Sequence, residues 1–182
     1  MGLRQLRMQG DDILTKKAKP VKEITPAILT LLDDMKDTLD SKEAVGIAAP
    51  QVGILRRIAL VSLEDEFYEL INPEIIETEG TQICNEACLS VMQLCGDIER
   101  PMRVVVRATN RHGEEYTIEG EDFMASIISH ELDHLDGVLF TDKAENIRPQ
   151  DEDDRRERRE RRKTTRQRTE AARNRRKVRK DT

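Results

Sequence analysis

Two kinds of spacing organise this chain. After Thr25 the apolar residues Ile28, Leu31, Leu32, Met35 and Leu39 recur every three or four positions, and Asp33, Asp34, Lys36, Asp37 and Asp40 fall largely between them. That spacing predicts an amphipathic helix with one face in a core. Thr25 offers a cap and Pro26 suits the first helical turn. A second helix is predicted after Gly120. Phe123, Met124, Ile127 and Ile128 make it mostly apolar and therefore buried, Glu121 and Asp122 suit its positive end, and Gly137 its exit. Elsewhere the pattern shortens. Ile58–Leu63 and 67–71 read as strands joined by the acidic turn Glu64-Asp65-Glu66, with Asn72-Pro73 ending the second and Ile75-Ile76 beginning a third. Arg103–Thr109 and 116–119 read as a hairpin about the turn 110–113, and 138–140 as a last short strand. Residues 11–24 read as an extended arm with a turn. The stretch 45–53, rich in Gly and Ala, reads as a tight loop where backbones approach closely. The expected fold class is α+β, with short antiparallel strands around the buried helix.

That helix carries the chemistry. It contains His130-Glu131-Leu132-Asp133-His134, an H-E-x-x-H pattern. Residues four apart share a helix face, so His130 and His134 can aim two imidazoles at one metal ion, with Glu131 beside them as a general base. A carboxylate and two imidazoles in an apolar helix are costly unless something satisfies them, and a metal would. The same short pattern also arises by chance in polar helices. Two histidines leave a metal short of a third protein ligand. His134 is the last histidine, so no downstream imidazole can serve. Glu145 lies close behind the helix, His112 reads as a solvated turn residue, and Cys88 is the soft ligand of the 86–91 stretch. Cys84 and Cys95 read as pocket or core residues.

Length and charge then narrow the setting. A chain of 182 residues has room for one domain with a real core, and with no Trp, three Phe and two Tyr that core must be aliphatic. Residues 1–154 carry 16 Lys/Arg against 32 Asp/Glu, whereas residues 155–182 carry 15 against 4. An acidic body with a basic tail is the expectation. No run approaches the roughly 20 apolar residues of a membrane span, the first residues do not read as a signal peptide, and three cysteines is an odd number. The expectation is a soluble cytoplasmic protein with reduced thiols.

Three stretches together carry a resemblance. Ala44-Val45-Gly46-Ile47-Ala48-Ala49-Pro50-Gln51, Glu86-Ala87-Cys88-Leu89-Ser90 and His130-Glu131-Leu132-Asp133-His134 resemble, in order and spacing, the three motifs of bacterial-type peptide deformylases. Ile71-Asn72-Pro73, Glu99-Arg100-Pro101 and the run 134–140 are similar too. The resemblance covers residues 3–147 and implies a catalytic domain over 1–150, followed by a charged, Arg-rich tail over 151–182 that is helical or disordered. It implies hydrolysis of the formyl group from formyl-methionyl nascent peptides, with release of formate, by a cytoplasmic monomer that does not enter a membrane.

The resemblance also implies residue roles. Cys88, His130 and His134 would hold the metal, Fe2+ at one per chain, with Zn2+, Ni2+ or Co2+ as substitutes. Glu131 would be the general base, and the Gln51 amide and Leu89 N–H would meet the oxyanion. Gly46, Ala44, Ala87 and Glu86 would line the path of an extended substrate that pairs like an added strand. Ala44 and Ala87 stand where the family has Gly, Met92 where many members have Pro, Cys95 where many have Arg, and Ser129 where most have Gln. The two alanines add methyl groups near the peptide path and disfavour positive φ, so retained activity with altered efficiency is expected.

Two other readings stay open beside this one: a generic zinc endopeptidase, and a catalytically weak deformylase relative whose main role is binding ribosome or RNA through residues 155–182. The tail itself reads either as an RNA-phosphate contact on the ribosome or as a solvated, partly helical segment. The ribosome reading predicts salt-sensitive co-sedimentation of the full chain with ribosomes, and little for a chain ending at Gln150. Equal, salt-insensitive binding of the two would overturn it.

Overall fold

A computed structural model describes residues 2–63 and 66–151. The basic segment 155–182, and with it the tail reading, lies outside the described residues, as do Glu64 and Asp65 of the expected acidic turn. The first helix, α1, runs Pro26–Ser41 and buries Leu31, Leu32, Met35 and Leu39, as their spacing requires. Asp34 departs from the pattern. It is buried rather than solvated, because its carboxylate accepts the Gly2 N–H at 2.8 Å and Arg4 Nε at 2.9 Å. An acid expected on the outer face is therefore a tie for the N-terminal arm. The second helix, α2, spans Asp122–Leu135.

Eight strands follow the chain: β1 Gly46–Ala48, β2 Ile58–Leu63, β3 Glu66–Glu79, β4 Gln82–Cys88, β5 Val91–Arg100, β6 Arg103–Thr109, β7 Glu115–Glu121 and β8 Glu145–Pro149. They form a five-stranded antiparallel sheet in the order β1-β2-β3-β6-β7 and a three-stranded one in the order β4-β5-β8. The α+β expectation holds.

The unbroken apolar run of β2 now has a reason. Ile58 and Leu60 point into the core beneath α1, while Ala59, Val61 and Leu63 point into the core around α2. A strand buried on both faces loses the polar alternation of a half-exposed one. Ile128, Leu132 and Leu135 of α2 pack on that second core with Val104 and Val106 of β6. A third cluster, Leu14, Cys88, Val91, Leu139 and Phe140, lies around the turn between β4 and β5.

Several expectations need correction. The loop expected at 45–53 contains β1, whose small residues pair with β2 at Gly46↔Val61 and Ala48↔Ala59, and then a 3-10 turn, Ala49–Val52. The strand expected to stop at Asn72-Pro73 runs on to Glu79. Asn72 takes φ 52° and the register shifts between Ile71 and Glu74, so Pro73, which has no N–H, is carried in a bulge. The Asn72 amide also bonds Val21 through both its oxygen and its nitrogen, each at 2.8 Å, which pins the arm. β5 and β8 were not legible because β5 mixes apolar and polar residues without alternation and breaks at Gly96, and β8 is short, polar and mostly exposed. Residues 138–140 form no strand, and a 3-10 turn begins at Phe140. No helix among the described residues is long and apolar enough to cross a membrane.

Ile128 is fully buried where α2 meets the sheet, and its Cδ1 would lie 2.8 Å from any Cβ placed on Gly120. Ile128→Ala should cost about 2–5 kcal/mol of stability in urea unfolding. A loss well under 1 kcal/mol would show that this helix is not held by the contact.

Candidate active site

The helix supplies two of the candidate metal donors and the sheet supplies the third. Along α2, His130 and His134 occupy one face, with ring centroids 4.9 Å apart and planes at 80°. The turn between β4 and β5 brings Cys88 to them, its Sγ 3.2 Å from His134 Nε2. The ligand atoms of Cys88, His130 and His134 all lie within 4.8 Å of one another. Among the described residues this is the one group of His, Cys, Asp and Glu so placed. Cys84 and Cys95 are buried outside it, and Glu145 and His112 are exposed.

Behind His130 stands Glu86. Its Oε2 accepts His130 Nδ1–H at 2.8 Å, which fixes the tautomer and leaves Nε2 as the ligating atom. Arg100 clamps the same carboxylate, Nε to Oε1 at 2.7 Å and Nη2 to Oε2 at 3.0 Å, and Ser126 Oγ donates to Oε1 at 3.0 Å. The Nη1 of Arg100 reaches Asp133 at 2.6 Å, and Lys143 reaches the other oxygen of Asp133 at 2.7 Å. Burial pushes the Glu86 carboxyl up, but the His130 and Arg100 donors outweigh it and hold it at about 2. Glu86, expected along the substrate path, instead has both oxygens committed within the protein, where they orient the His130 imidazole. Arg100, Ser126 and Asp133 were not anticipated. Only tertiary pairing reveals them, apart from the improbability of an unpaired Arg inside a buried strand.

Cys88 is buried too, which alone would raise its thiol. The imidazoles of His134 and His130 outweigh that and hold it well below the ordinary thiol value. Glu131 is 4% exposed, and burial raises its carboxyl to about 7 against the pull of both imidazoles. Its Oε2 and Nδ1 of His134 are the two buried side-chain polar atoms without a hydrogen-bond partner among the described residues. A Cys-His-His donor set facing an unpartnered buried carboxylate fits a divalent metal with a further open position.

Gln51 sits on the 3-10 turn after β1, 1% exposed. Its Oε1 accepts the Ala48 N–H at 2.8 Å, so its Nε2 must point the other way, to Ser90 Oγ at 3.2 Å and Cys88 Sγ at 3.5 Å. Leu89 is in the turn next to Cys88. Gly46 lies against the general-base candidate: a Cβ there would come within 2.8 Å of Glu131 Cδ and 2.9 Å of its Cγ. Ala44 and Ala87, which disfavour positive φ, are not asked to adopt it. Neither is among the non-glycine residues with positive φ, and Ala44 packs on the core beneath α1.

This arrangement has close counterparts. A family model described as polypeptide deformylase matches residues 3–150. A peptide deformylase of Acetivibrio thermocellus is 50% identical over 156 residues, 86% of this chain and 92% of the relative. One from Thermoanaerobacter pseudethanolicus is 48% identical over 85% of this chain and 96% of its own length. Among solved structures, the peptide deformylase of Thermotoga maritima superposes with a TM-score of 0.76 at 36% identity, covering 79% of this chain and 98% of that one. That of Synechococcus elongatus in complex with actinonin gives 0.76 at 37% identity, covering 79% of each chain. The chain therefore belongs to the polypeptide deformylases, metal-dependent hydrolases that remove the formyl group from the N-terminal formylmethionine of newly synthesised proteins and release formate.

Proposed function

We propose that Cys88, His130 and His134 hold the metal and that Glu131, Gln51 and Leu89 carry the deformylation around it. The observation that supports this most is the convergence of the three donors within 4.8 Å beside a buried carboxylate oxygen that has no partner. The ion is Fe2+ in this reading, after the family, and the donor set would accept Zn2+, Ni2+ or Co2+. Bound there, a divalent metal supplies the Lewis acidity that makes water a nucleophile near neutral pH.

The protein's own groups do the rest. β1 is an edge strand of the larger sheet, so the backbone at Gly46 can accept the formyl-methionyl chain as an added strand. The Glu131 carboxylate takes the proton from the attacking water and hands it to the leaving amine. As the formyl carbon becomes tetrahedral, Gln51 Nε2 and the Leu89 N–H donate to its oxygen. Glu86 and Arg100 keep His130 in one tautomer and one orientation throughout. The physiological substrate is the nascent chain in the cytoplasm, met by a monomer, and residues 155–182 contact the ribosome.

Formate release from a formyl-Met-Ala-Ser peptide, with protein prepared without oxygen and loaded with Fe2+, tests the assignment. Glu131→Gln should lower kcat about 10²–10⁴-fold while metal content stays at one per chain. Undiminished turnover would remove Glu131 from the reaction. Gly46→Ala should displace the Glu131 carboxyl and lower kcat/KM about 10²-fold with the metal retained. Wild-type rates in that variant would show that the base does not need the space.

A further inference from the structure

The two oxyanion donors, Gln51 and Leu89, are 38 positions apart in sequence, yet one short segment touches both loops that carry them. The N–H of Arg7 donates to the Gln51 carbonyl at 2.8 Å, and the N–H of Gln9 donates to the Ser90 carbonyl at 2.7 Å. Residues two apart in an extended backbone project alternate groups the same way, so one stretch of arm can bridge two acceptors. Ser90 is fully buried and joins the bridge to the chemistry. Its Oγ accepts from Gln51 Nε2 at 3.2 Å, and its N–H donates to Cys88 Sγ at 3.4 Å. The arm is fastened on both sides. Upstream, Arg4 pairs with Asp34 at 2.8 Å and donates its N–H to Thr38 Oγ1 at 2.9 Å. Downstream, a turn closes from the Asp11 N–H to the Met8 carbonyl at 3.0 Å, and Leu14 enters the cluster that contains Cys88.

We propose that residues 7–9 form a strap that sets the separation of the Gln51 amide and the Cys88-Leu89-Ser90 turn, making Gln9 and Arg7 positioning residues of the oxyanion site. The inference rests on the reading that Gln51 and Leu89 stabilise the oxyanion. Donors of this kind work because they are already aimed where charge develops. Two loops tied only through their side chains could drift, and a displacement of about 1 Å is enough to cost rate. The strap acts through backbone N–H groups, so the identity of the side chains at 7 and 9 carries no signature of the role.

The turn offers a clean way to cut it. Gly10 takes φ +101° at the third position of the Met8–Asp11 turn, and Gln9, whose φ is negative, occupies the second. This is the type II pattern, in which proline is favoured at the second position. Gln9→Pro therefore suits the backbone and removes one N–H, and Gln9→Ala, which keeps that N–H, is the reference. The experiment measures kcat and KM for formyl-Met-Ala-Ser, metal content and thermal unfolding, each in the wild-type and Gln51→Ala backgrounds. With the strap at work, Gln9→Pro lowers kcat about tenfold relative to Gln9→Ala, below the 10²–10³-fold cost of deleting an oxyanion donor outright. KM and metal content stay level, and the loss shrinks markedly once Gln51 is already gone. Equal kcat for the two Gln9 variants overturns the strap, as does an equal loss in both backgrounds or a loss that tracks metal release or unfolding. If Gln51→Ala itself turns over at the wild-type rate, the oxyanion reading fails first and the strap falls with it.

Discussion

A buried carboxylate that stays charged must be paired, and the two-point contact between Arg100 and Glu86 is the pairing on which the site depends. Arg100 ends β5, Glu86 lies near the end of β4, and Asp133 lies on α2 between the two histidines. One guanidinium therefore ties the smaller sheet to the helix, with geometry that only a planar, forked donor can meet. Removing one partner would leave a buried charge short of its main counter-charge, at a cost of up to about 3–5 kcal/mol. Because Glu86 also accepts from His130, the same contact that joins sheet to helix fixes the orientation of a metal ligand. Stability and ligand geometry are thus not separable here.

The proposed metal site is a joint between two layers. α2 contributes both imidazoles and the Glu131 carboxyl, and the β4–β5 turn contributes the Cys88 sulfur, with the third hydrophobic cluster packed beside it. Neither layer holds enough donors alone. Glu131 and His134 each keep a buried atom unpartnered, a cost tolerated where local structure is shaped for something other than stability. The larger sheet stays rigid by burying β2 on both faces, so the helix has a firm surface to rest on.

The elements with a strong period were legible in advance. α1 announced itself by its Leu and Met stripe, α2 by its apolar setting, and β2 and β6 by their runs of branched residues. The H-E-x-x-H spacing put His130 and His134 on one helix face with Glu131 beside them, and that much of the candidate site follows from helix geometry alone. Cys88 was one candidate among several until the three motifs were considered together. What was hidden is what depends on partners distant in sequence. Asp34 has a polar-face position and a buried fate, because residues 2–4 reach back to cover it. Glu86 belongs to the same short motif as Cys88, and nothing local distinguishes a carboxylate that meets substrate from one that holds an imidazole. β5 and β8 pair through backbone while their side chains follow no alternation, so pattern reading had nothing to grip. Ala44 and Ala87 drew attention only because the family has glycine there. Their ordinary φ values show that this backbone does not ask for it.

The close approach of Gly46 to Glu131 has a consequence for how the site can change over time. A protein often escapes a molecule that occupies its active site by adding bulk along the rim. At position 46 that route is closed, because any side chain there meets the Glu131 carboxyl before it meets the intruder. The edge strand and the Glu131 carboxyl share one small volume, so variation that reshapes the site must come from other walls.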